Sequence, residues 1–598
     1  MKIRKSANKG ARVETLRYVL EFRTGEPLAR LEVKRSHQRH LFYPGGACNP
    51  VGKCDETRAF GKLSTRQSPG VCEILIPESS SVWRRKTHRY VCREDSIEFS
   101  YTVSGQGRVD RAHFFRGYLR GAEHGFAGEF DEIYSTCPNF QERRYHHPVE
   151  SFSISFGNDL TPSVGCQALA SPCPCMGLRD RRDSVFMVAG LAAEPGQYTW
   201  DAFEWNPPVA IPPTVYAPDS MFAGGFAAVF AGKLRVNGEW RSPRLIMAFA
   251  NGQKRVLPVY LNHCYRHGYL TKPRRVKPAA WWREPIYCTW HDQTALALGA
   301  AMNYESRKNA PKAGDFCTQK RAEGWVRTLV RHGCKPGIVI LDDAWQKHLN
   351  TADPDTKKWP DLRGWIEKCH ARGMRVFLWT AAWSPAGLPR DECITRNGVP
   401  IAGDMTCSKY EKRFREMARR WFSSGPDGLN ADGIKVDGLL AMPTGPGLEN
   451  HGNLWGLELQ RKYLSVLYEE AKRCRRDICV STYAANPYLA PFSDMVRIAD
   501  MYTCRLTAHE TMLHRAEVFR QTMPHAVIDT DGQLAHYMLD DYADELAEQA
   551  RVGVPTLYNA EWVRRHRFFL PARLHRLRSA DYAKFARVFR CCAGSSAR

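Results

Sequence analysis

Two hydrophobic periods divide the chain. From residue 1 to about 275, short runs of alternating apolar and polar residues recur between turn signals, the period of two that a strand with one buried face requires. In SIEFSYTV, Ile97, Phe99, Tyr101 and Val103 fall on one face; in SFSISFG the apolar set is Phe152, Ile154 and Phe156. In KLRVNGEW the Asn237-Gly238 pair predicts a tight hairpin turn. Residues 1–275 are therefore expected to form an N-terminal β-sandwich.

From about residue 280 the period changes. Short continuous apolar runs alternate with helix-period segments, the signature of parallel β/α units. Eight strands are predicted: PIYCTW, GIVILDD, RVFLWTAAW, GIKVDG, ICVSTYA, MVRIAD, AVIDTDG and PTLYN. Eight closes a barrel, so residues 276–598 read as a (β/α)8 TIM barrel with a short C-terminal extension, and the fold class as α/β. Between the strands, Ala322, Trp325, Val326, Leu329 and Val330 form a helical stripe that Gly333 can cap. Leu362, Trp365, Ile366 and Cys369 make a second before Gly373, and Tyr410, Phe414, Met417, Ala418 and Trp421 a third. The segment from Ser384 to Met405 reads as one long irregular βα loop, of the kind that shapes a barrel's substrate site.

Composition changes this picture little. A chain of 598 residues, 43% hydrophobic and 25% charged, has the bulk of a globular protein with more than one domain. The formal charge of +23 invites a nucleic-acid reading, but Lys and Arg are scattered in short pairs such as Arg84-Arg85 and Arg181-Arg182, so a solvated basic surface is expected and no nucleic-acid partner. No stretch is apolar and long enough to span a membrane, and the first residues, MKIRKSANKGARVETLRYVLEF, lack a signal-peptide core. The twenty cysteines are accordingly expected to be mostly reduced, in the cytoplasm. Cys48 with Cys54, and Cys166 with Cys173 and Cys175, lack the paired spacing and partner His of a zinc site, so no metal is expected.

The candidate chemistry lies where strands end, because a barrel places its site at their C-terminal ends. Polar residues crowd those positions: Trp290, His291 and Asp292 after strand one; Asp342, Asp343 and Trp345 after two; Trp379 on three; Lys435 and Asp437 on four; Asp500 on six; Asp529 and Asp531 on seven. Carboxylates can bond hydroxyls and move protons while aromatic faces pack on a pyranose, so this mixture suits a sugar. In IKVDG, Lys435 and Asp437 are two apart and share one side of a strand; a cation beside Asp437 would hold it ionised, as a nucleophile requires.

These segments resemble the retaining α-glycosidase barrels of glycoside hydrolase families 31 and 36, the latter including α-galactosidases and raffinose-synthase-like enzymes. LDDAWQ resembles the D-D-x-W segment, GIKVDG the K-x-D nucleophile segment, MVRIADMY the R-x-S-D or R-x-x-D acid/base segment, and VIDTDG the D-W-D segment of the raffinose-synthase-like branch. The resemblance covers residues 285 to 560, with the motifs in family order. It implies Asp437 as nucleophile, Asp500 as general acid/base, and Asp342 and Asp343 as ligands of sugar hydroxyls. It also implies a pocket completed by Lys435, Trp379 and Arg497, with Trp345, Trp290, Asp529 and Asp531 as further substrate contacts. Asp500 is preferred to Asp494 on alternation as well, since Val496, Ile498 and Asp500 would share a face towards the barrel mouth.

The function implied is a retaining, cofactor-free α-glycoside hydrolase, α-galactosidase-like, acting on an oligosaccharide or α-glycoside by double displacement. The alternatives are a raffinose-synthase-like α-glycosyl transferase and a non-catalytic carbohydrate-binding barrel. A Schiff base on Lys435 would instead make an aldolase, and a metal-dependent hydrolase would need an H-x-H pair where TWHDQ has only His291. Two departures from the families leave the sugar open: about 40 residues follow the last strand where a β-domain is expected, and STYAANPY offers no equivalent of the family 36 residues after strand five.

Overall fold

The computed structural model describes residues 2–6, 10–23, 26, 28–119, 121–128, 130, 132–136, 144–146, 152–156, 175–205, 224–273, 277–301, 310–439, 442–443, 447–483, 486–498, 505–531, 542–565 and 573–595. Its N-terminal part is two antiparallel-rich sheets, one of six strands and one of sixteen. They pack face to face: Val13, Tyr18, Leu20, Leu31 and Phe42 of the smaller sheet share a core with Ile74, Tyr90, Ile97, Phe99, Tyr101 and Val103 of the larger. The alternation of SIEFSYTV thus fixes a buried face, inside the long strand Ser96–Phe114. The β-sandwich is the fold's first layer.

The Asn237-Gly238 turn is corrected. Both residues lie inside the strand Gly224–Arg241, with Asn237 opposite Gln106 and Gly238 opposite Gly105. Gly238 has a φ of 106° and Gly105 one of 153°, so the positive φ is absorbed by a pair of facing glycines and no chain reversal follows. The reversal dipeptide sits elsewhere. Asn397 and Gly398 have φ of 50° and 77° and join the strands Cys393–Arg396 and Val399–Gly403, with Arg396 opposite Val399. The segment Ser384 to Met405 is therefore not irregular throughout but carries a hairpin, which Leu448–Glu449 extends to three strands.

Eight parallel strands follow: β1 Ile286–Cys288, β2 Ile338–Leu341, β3 Arg375–Ala381, β4 Gly433–Asp437, β5 Cys479–Thr482, β6 Met495–Arg497, β7 Val527–Asp529 and β8 Thr556–Leu557. They pair in sequence order from β1 to β7, and β1 also pairs with β8. Closure comes through a bridge between Asp529 and Val554, just before β8, with Val554 N–H donating to Ile528 at 2.7 Å and Thr530 N–H to Val554 at 3.0 Å. All eight predicted strands are present in their predicted places.

Alternation sorts every strand residue. Ile286, Cys288, Ile338, Ile340, Phe377, Cys479, Met495 and Val527 fill the barrel interior, whereas Tyr287, Val339, Leu341, Val376, Leu378, Ile434, Val436 and Val480 face the outer helices. Gly433 is dictated by packing, because a Cβ there would stand 2.5 Å from the Phe377 ring and 2.7 Å from the Cys479 carbonyl. The helices Gln319–Arg331, Leu362–Ala371 and Ser408–Phe422 bury the expected stripes, except that Val330 is 44% exposed: a stripe of five positions spreads wider than the helix's buried face. Beyond β8 the chain adds a hairpin, Trp562–Arg565 with Arg573–Arg576, and a helix, Ser579–Ser595, whose Tyr582, Phe585 and Phe589 join the barrel's outer core.

The sandwich meets the barrel at loops on its C-terminal side. Tyr198 stacks on Tyr488 at 4.2 Å, both bond Glu458 at the start of the helix Gly456–Cys474, and Lys233 lies 4.3 Å above the Trp455 ring. Of the cysteines weighed for zinc, Cys48 and Cys175 are buried and Cys54 exposed; Cys166 and Cys173 lie outside the described residues. No described helix is long and apolar enough to cross a membrane.

Candidate functional site

The inward parity that fills the barrel with Ile340, Phe377, Gly433, Cys479 and Met495 continues, one step further along each strand, to polar residues: Asp342, Trp379, Lys435, Ser481 and Arg497, with Asp437 and Asp529 in the same series. The sequence thus builds an apolar plug with a polar layer above it. That layer is the candidate site.

Asp437, the last residue of β4, is the carboxylate this layer presents. Its side chain is 39% exposed, against 4% for Asp342 and 1% for Asp531. Trp379 Nε1–H donates to its Oδ2 at 3.1 Å, and Gly438 N–H donates to its Oδ1 at 3.0 Å. Arg497 Nη2 approaches the same Oδ1 at 3.4 Å. Enclosure in the barrel would lift the Asp437 carboxyl, but the Arg497 and Lys435 cations and these donors outweigh it and hold the group below the ordinary aspartate value. The result is a carboxylate that stays ionised.

Lys435 does not touch Asp437 directly. Its Nζ donates to Asp342 Oδ2 at 2.6 Å, 3.7 Å from Cys288 Sγ, and lies 5.5 Å above the Tyr558 ring. Asp342 also accepts from the Cys288 thiol at 3.1 Å and from Asp343 N–H at 2.9 Å. Although burial opposes its charge, the neighbouring Asp342 keeps Lys435 above the ordinary lysine range, so it lacks the free amine that a Schiff base needs. Asp343, beside this pair and half-buried, is pushed up to about 6 by burial and by the charges of Asp342 and Asp437.

Arg497, at the end of β6, is 3% exposed and spans two strands. Nη1 donates to Asp531 Oδ2 at 2.9 Å, Nη2 donates to the Val436 carbonyl at 3.2 Å, and the guanidinium lies 4.8 Å above the Tyr483 ring. Asp531 receives the Tyr558 hydroxyl on its other oxygen and donates its own N–H to Asp529 Oδ1 at 2.8 Å. Asp529 Oδ1 also accepts from Thr556 Oγ1, and burial with the nearby Asp531 charge pushes its carboxyl up to about 7.

Asp342, Asp343, Trp379, Lys435, Asp437 and Arg497 are therefore brought together. Trp345, Asp529 and Asp531 sit beneath them. Trp345 is fully buried and donates its Nε1–H to the Trp379 carbonyl at 2.9 Å, bracing that strand from behind, while Asp529 and Asp531 are 0% and 1% exposed: Asp531 spends both oxygens on protein donors, and Asp529 receives its two donors on Oδ1. Trp290 opens the helix Trp290–Ala301 and packs on the barrel's inner core. Asp500 lies outside the described residues. Asp494 is at the other end of β6, where Lys472 Nζ, Val480 N–H and Tyr468 Oη–H all donate to it.

Val496 and Ile498 do not face the barrel mouth, contrary to the expected alternation. Val496 and Ile498 pack outward against Met512, Ala516 and Phe519 of the helix Arg505–Thr522, and β6 ends at Arg497, so the strand's period does not reach Asp500. Sequence reasoning also missed Tyr558 and Tyr483. A tyrosine ending an apolar strand, as in PTLYN, was the available signal.

The raised Asp529 carboxyl makes stability depend on pH. An acid whose folded-state value exceeds its unfolded value costs nothing where both states hold the proton, and costs more as pH rises through the window between the two values, here from about 4 to about 7. Asp529→Asn keeps an oxygen for Thr556 and Asp531 but cannot ionise. The variant is expected to be more stable than the parent at pH 8, by on the order of 1 kcal/mol or more, seen as a higher melting temperature, and to match it at about pH 3. Equal differences at both pH values would show that Asp529 is ionised in the fold.

The fold so described, a β-sandwich followed by a (β/α)8 barrel, is similar to that of several solved α-glycosidases. Neither protein-family models nor curated proteins match the sequence. Solved structures do match the fold. An α-N-acetylgalactosaminidase from Bifidobacterium bifidum superposes with a TM-score of 0.61 at 11% identity, over 98% of this chain and 93% of that one. A family 31 sulfoquinovosidase from E. rectale gives 0.55 at 10% identity, over 100% and 83%. A family 31 α-xylosidase from a soil metagenome gives 0.52 at 10% identity, over 100% and 84%.

Proposed function

We propose that this chain is a retaining α-glycoside hydrolase, α-galactosidase-like, with Asp437 as nucleophile and Asp500 as general acid/base. The observation that carries the reading is the state of Asp437: far more exposed than Asp342, Asp529 and Asp531, yet ringed by Trp379, Gly438 and Arg497 donors that favour its charged form. Such a group has free lone pairs to attack an anomeric carbon.

In the first step a carboxylate oxygen of Asp437 bonds to the anomeric carbon while the bond to the leaving oxygen breaks and Asp500 supplies its proton. In the second, Asp500 takes a proton from water, whose oxygen displaces Asp437, so the configuration is inverted twice. Asp343, with its raised value, is a hydroxyl ligand that accepts near neutral pH and can also donate in mild acid. Lys435 and Asp342 hold each other and define the floor beneath the sugar.

The test is a screen of 4-nitrophenyl α-glycosides of galactose, N-acetylgalactosamine, glucose and xylose, with NMR of the first-formed sugar. Release of nitrophenol with the α-anomer formed first is expected. A first-formed β-anomer would refute retention, transfer to added saccharide would assign the transferase alternative, and inactivity on every member would overturn the proposal.

A further inference from the structure

Arg497 serves two carboxylates unequally. It makes its shorter contact, 2.9 Å, with fully buried Asp531, and its longer one, 3.4 Å, with exposed Asp437. Asp531 is itself fixed from behind by the Tyr558 hydroxyl, and its N–H is fixed by Asp529. Tyr558 in turn is clamped between the His291 ring, stacked at 4.3 Å, and Lys435. Asp531 is held at a φ of 49°, a backbone state that side chains other than glycine adopt at a cost, so its position is imposed by these partners. With no exposed oxygen, it has no surface to offer a sugar.

We infer that Asp531 is a positioning residue that tunes the nucleophile: it takes most of Arg497's charge and fixes the guanidinium so that Asp437 is kept ionised without being tied up in a full ion pair. This rests on the glycosidase reading and deepens it, because the motif resemblance assigns Asp531 to the substrate. A nucleophile in a tight bidentate pair with arginine would lose the lone pair it needs and part of its basicity. A nucleophile with no cation would rise towards the values that burial gives its neighbour Asp343. The split guanidinium lies between these extremes.

The charged and titratable groups facing this assembly, among the described residues, are few. Asp437 meets Arg497 from β6 and Lys435 from its own strand, with Asp343 across from β2. Arg497 meets Asp531, Asp437, Tyr558 and Tyr483. Lys435 meets Asp342, Cys288, Arg497 and Asp531. Removing the negative charge at 531 leaves Asp437 as the one carboxylate in contact with Arg497, so the whole field of that cation falls on the nucleophile.

The experiment is the pH dependence of kcat/KM and of kcat for Asp531→Asn, on the 4-nitrophenyl α-glycoside that the parent turns over best. The acidic limb of kcat/KM, which reports the free enzyme's ionising nucleophile, is expected to move down by about one pH unit, with kcat about tenfold lower and KM within about twofold of the parent. Tyr558→Phe, which takes a donor from Asp531 without changing any charge, keeps the question open to test if Asp531→Asn fails to fold; with its charge less satisfied Asp531 draws more on Arg497, so the limb is expected to move up, by a smaller step. A limb that stays in place while KM rises about tenfold would make Asp531 a substrate ligand and overturn the inference, leaving the glycosidase reading intact. A parent enzyme inactive on all four substrates would remove the glycosidase reading first, and the inference with it.

Discussion

Asp437→Ala is expected to reduce turnover of an aryl α-glycoside by about four orders of magnitude or more while the melting temperature stays within a few degrees of the parent. Both halves follow from the contacts. In the proposed mechanism this carboxylate bonds to the anomeric carbon, and its neighbours are poor substitutes: Asp342 is paired with Lys435, Asp531 and Asp529 are buried, and the Asp343 carboxyl is pushed up to about 6. Its removal strands no buried cation, because Arg497 keeps Asp531 and Lys435 keeps Asp342, so the usual penalty for breaking a buried pair does not arise. Sodium azide provides the sharper measurement. In the space left by the side chain the anion can attack the same face of the sugar, and with no carboxylate to displace it the product should accumulate as the β-glycosyl azide. Parental activity in Asp437→Ala, or an α-glycosyl azide from it, would remove Asp437 from the role.

The barrel was legible in the sequence because its strands are short and apolar on both sides, so that GIVILDD or GIKVDG stands out between helical stripes whatever its partners are. Its polar rim was legible for the same reason: parity counted from the apolar core puts Asp342, Trp379, Lys435, Asp437 and Arg497 inside. What parity cannot supply is which inward residue meets which. Lys435 and Asp437 are neighbours in spacing, yet Lys435 reaches across the barrel to Asp342 while Arg497, sixty residues on, is the cation that meets Asp437. Spacing along one strand fixes side, whereas pairing depends on side-chain length and on how far each strand has risen at the rim. Turn chemistry failed in a comparable way. Asn237-Gly238 and Asn397-Gly398 are the same dipeptide, and only the second turns the chain, because the first faces Gly105 on a strand already committed to pairing.

Asp500→Ala is expected to separate substrates by leaving group, and Asp494→Ala is not. An acid/base residue matters in proportion to the proton the departing oxygen needs, so Asp500→Ala should lose about a thousandfold on an unactivated alkyl or saccharide α-glycoside while retaining most of the parental rate on a 2,4-dinitrophenyl α-glycoside. Asp494 has other duties. It sits before β6, at the end of the barrel remote from Asp437, with Lys472 Nζ at 2.8 Å, Val480 N–H at 2.9 Å and Tyr468 Oη at 3.1 Å, and Lys472 in turn covers the Trp282 ring at the barrel's base. Cutting Asp494 back to alanine leaves the buried Val480 N–H without its carboxylate, which costs about 2 kcal/mol or more and should appear as a lower melting temperature. Its activity on good and poor leaving groups should fall together if it falls at all. Should Asp494→Ala discriminate between leaving groups and Asp500→Ala treat them alike, the general acid would have to be sought at the N-terminal end of β6, which is incompatible with a nucleophile at the C-terminal end of β4.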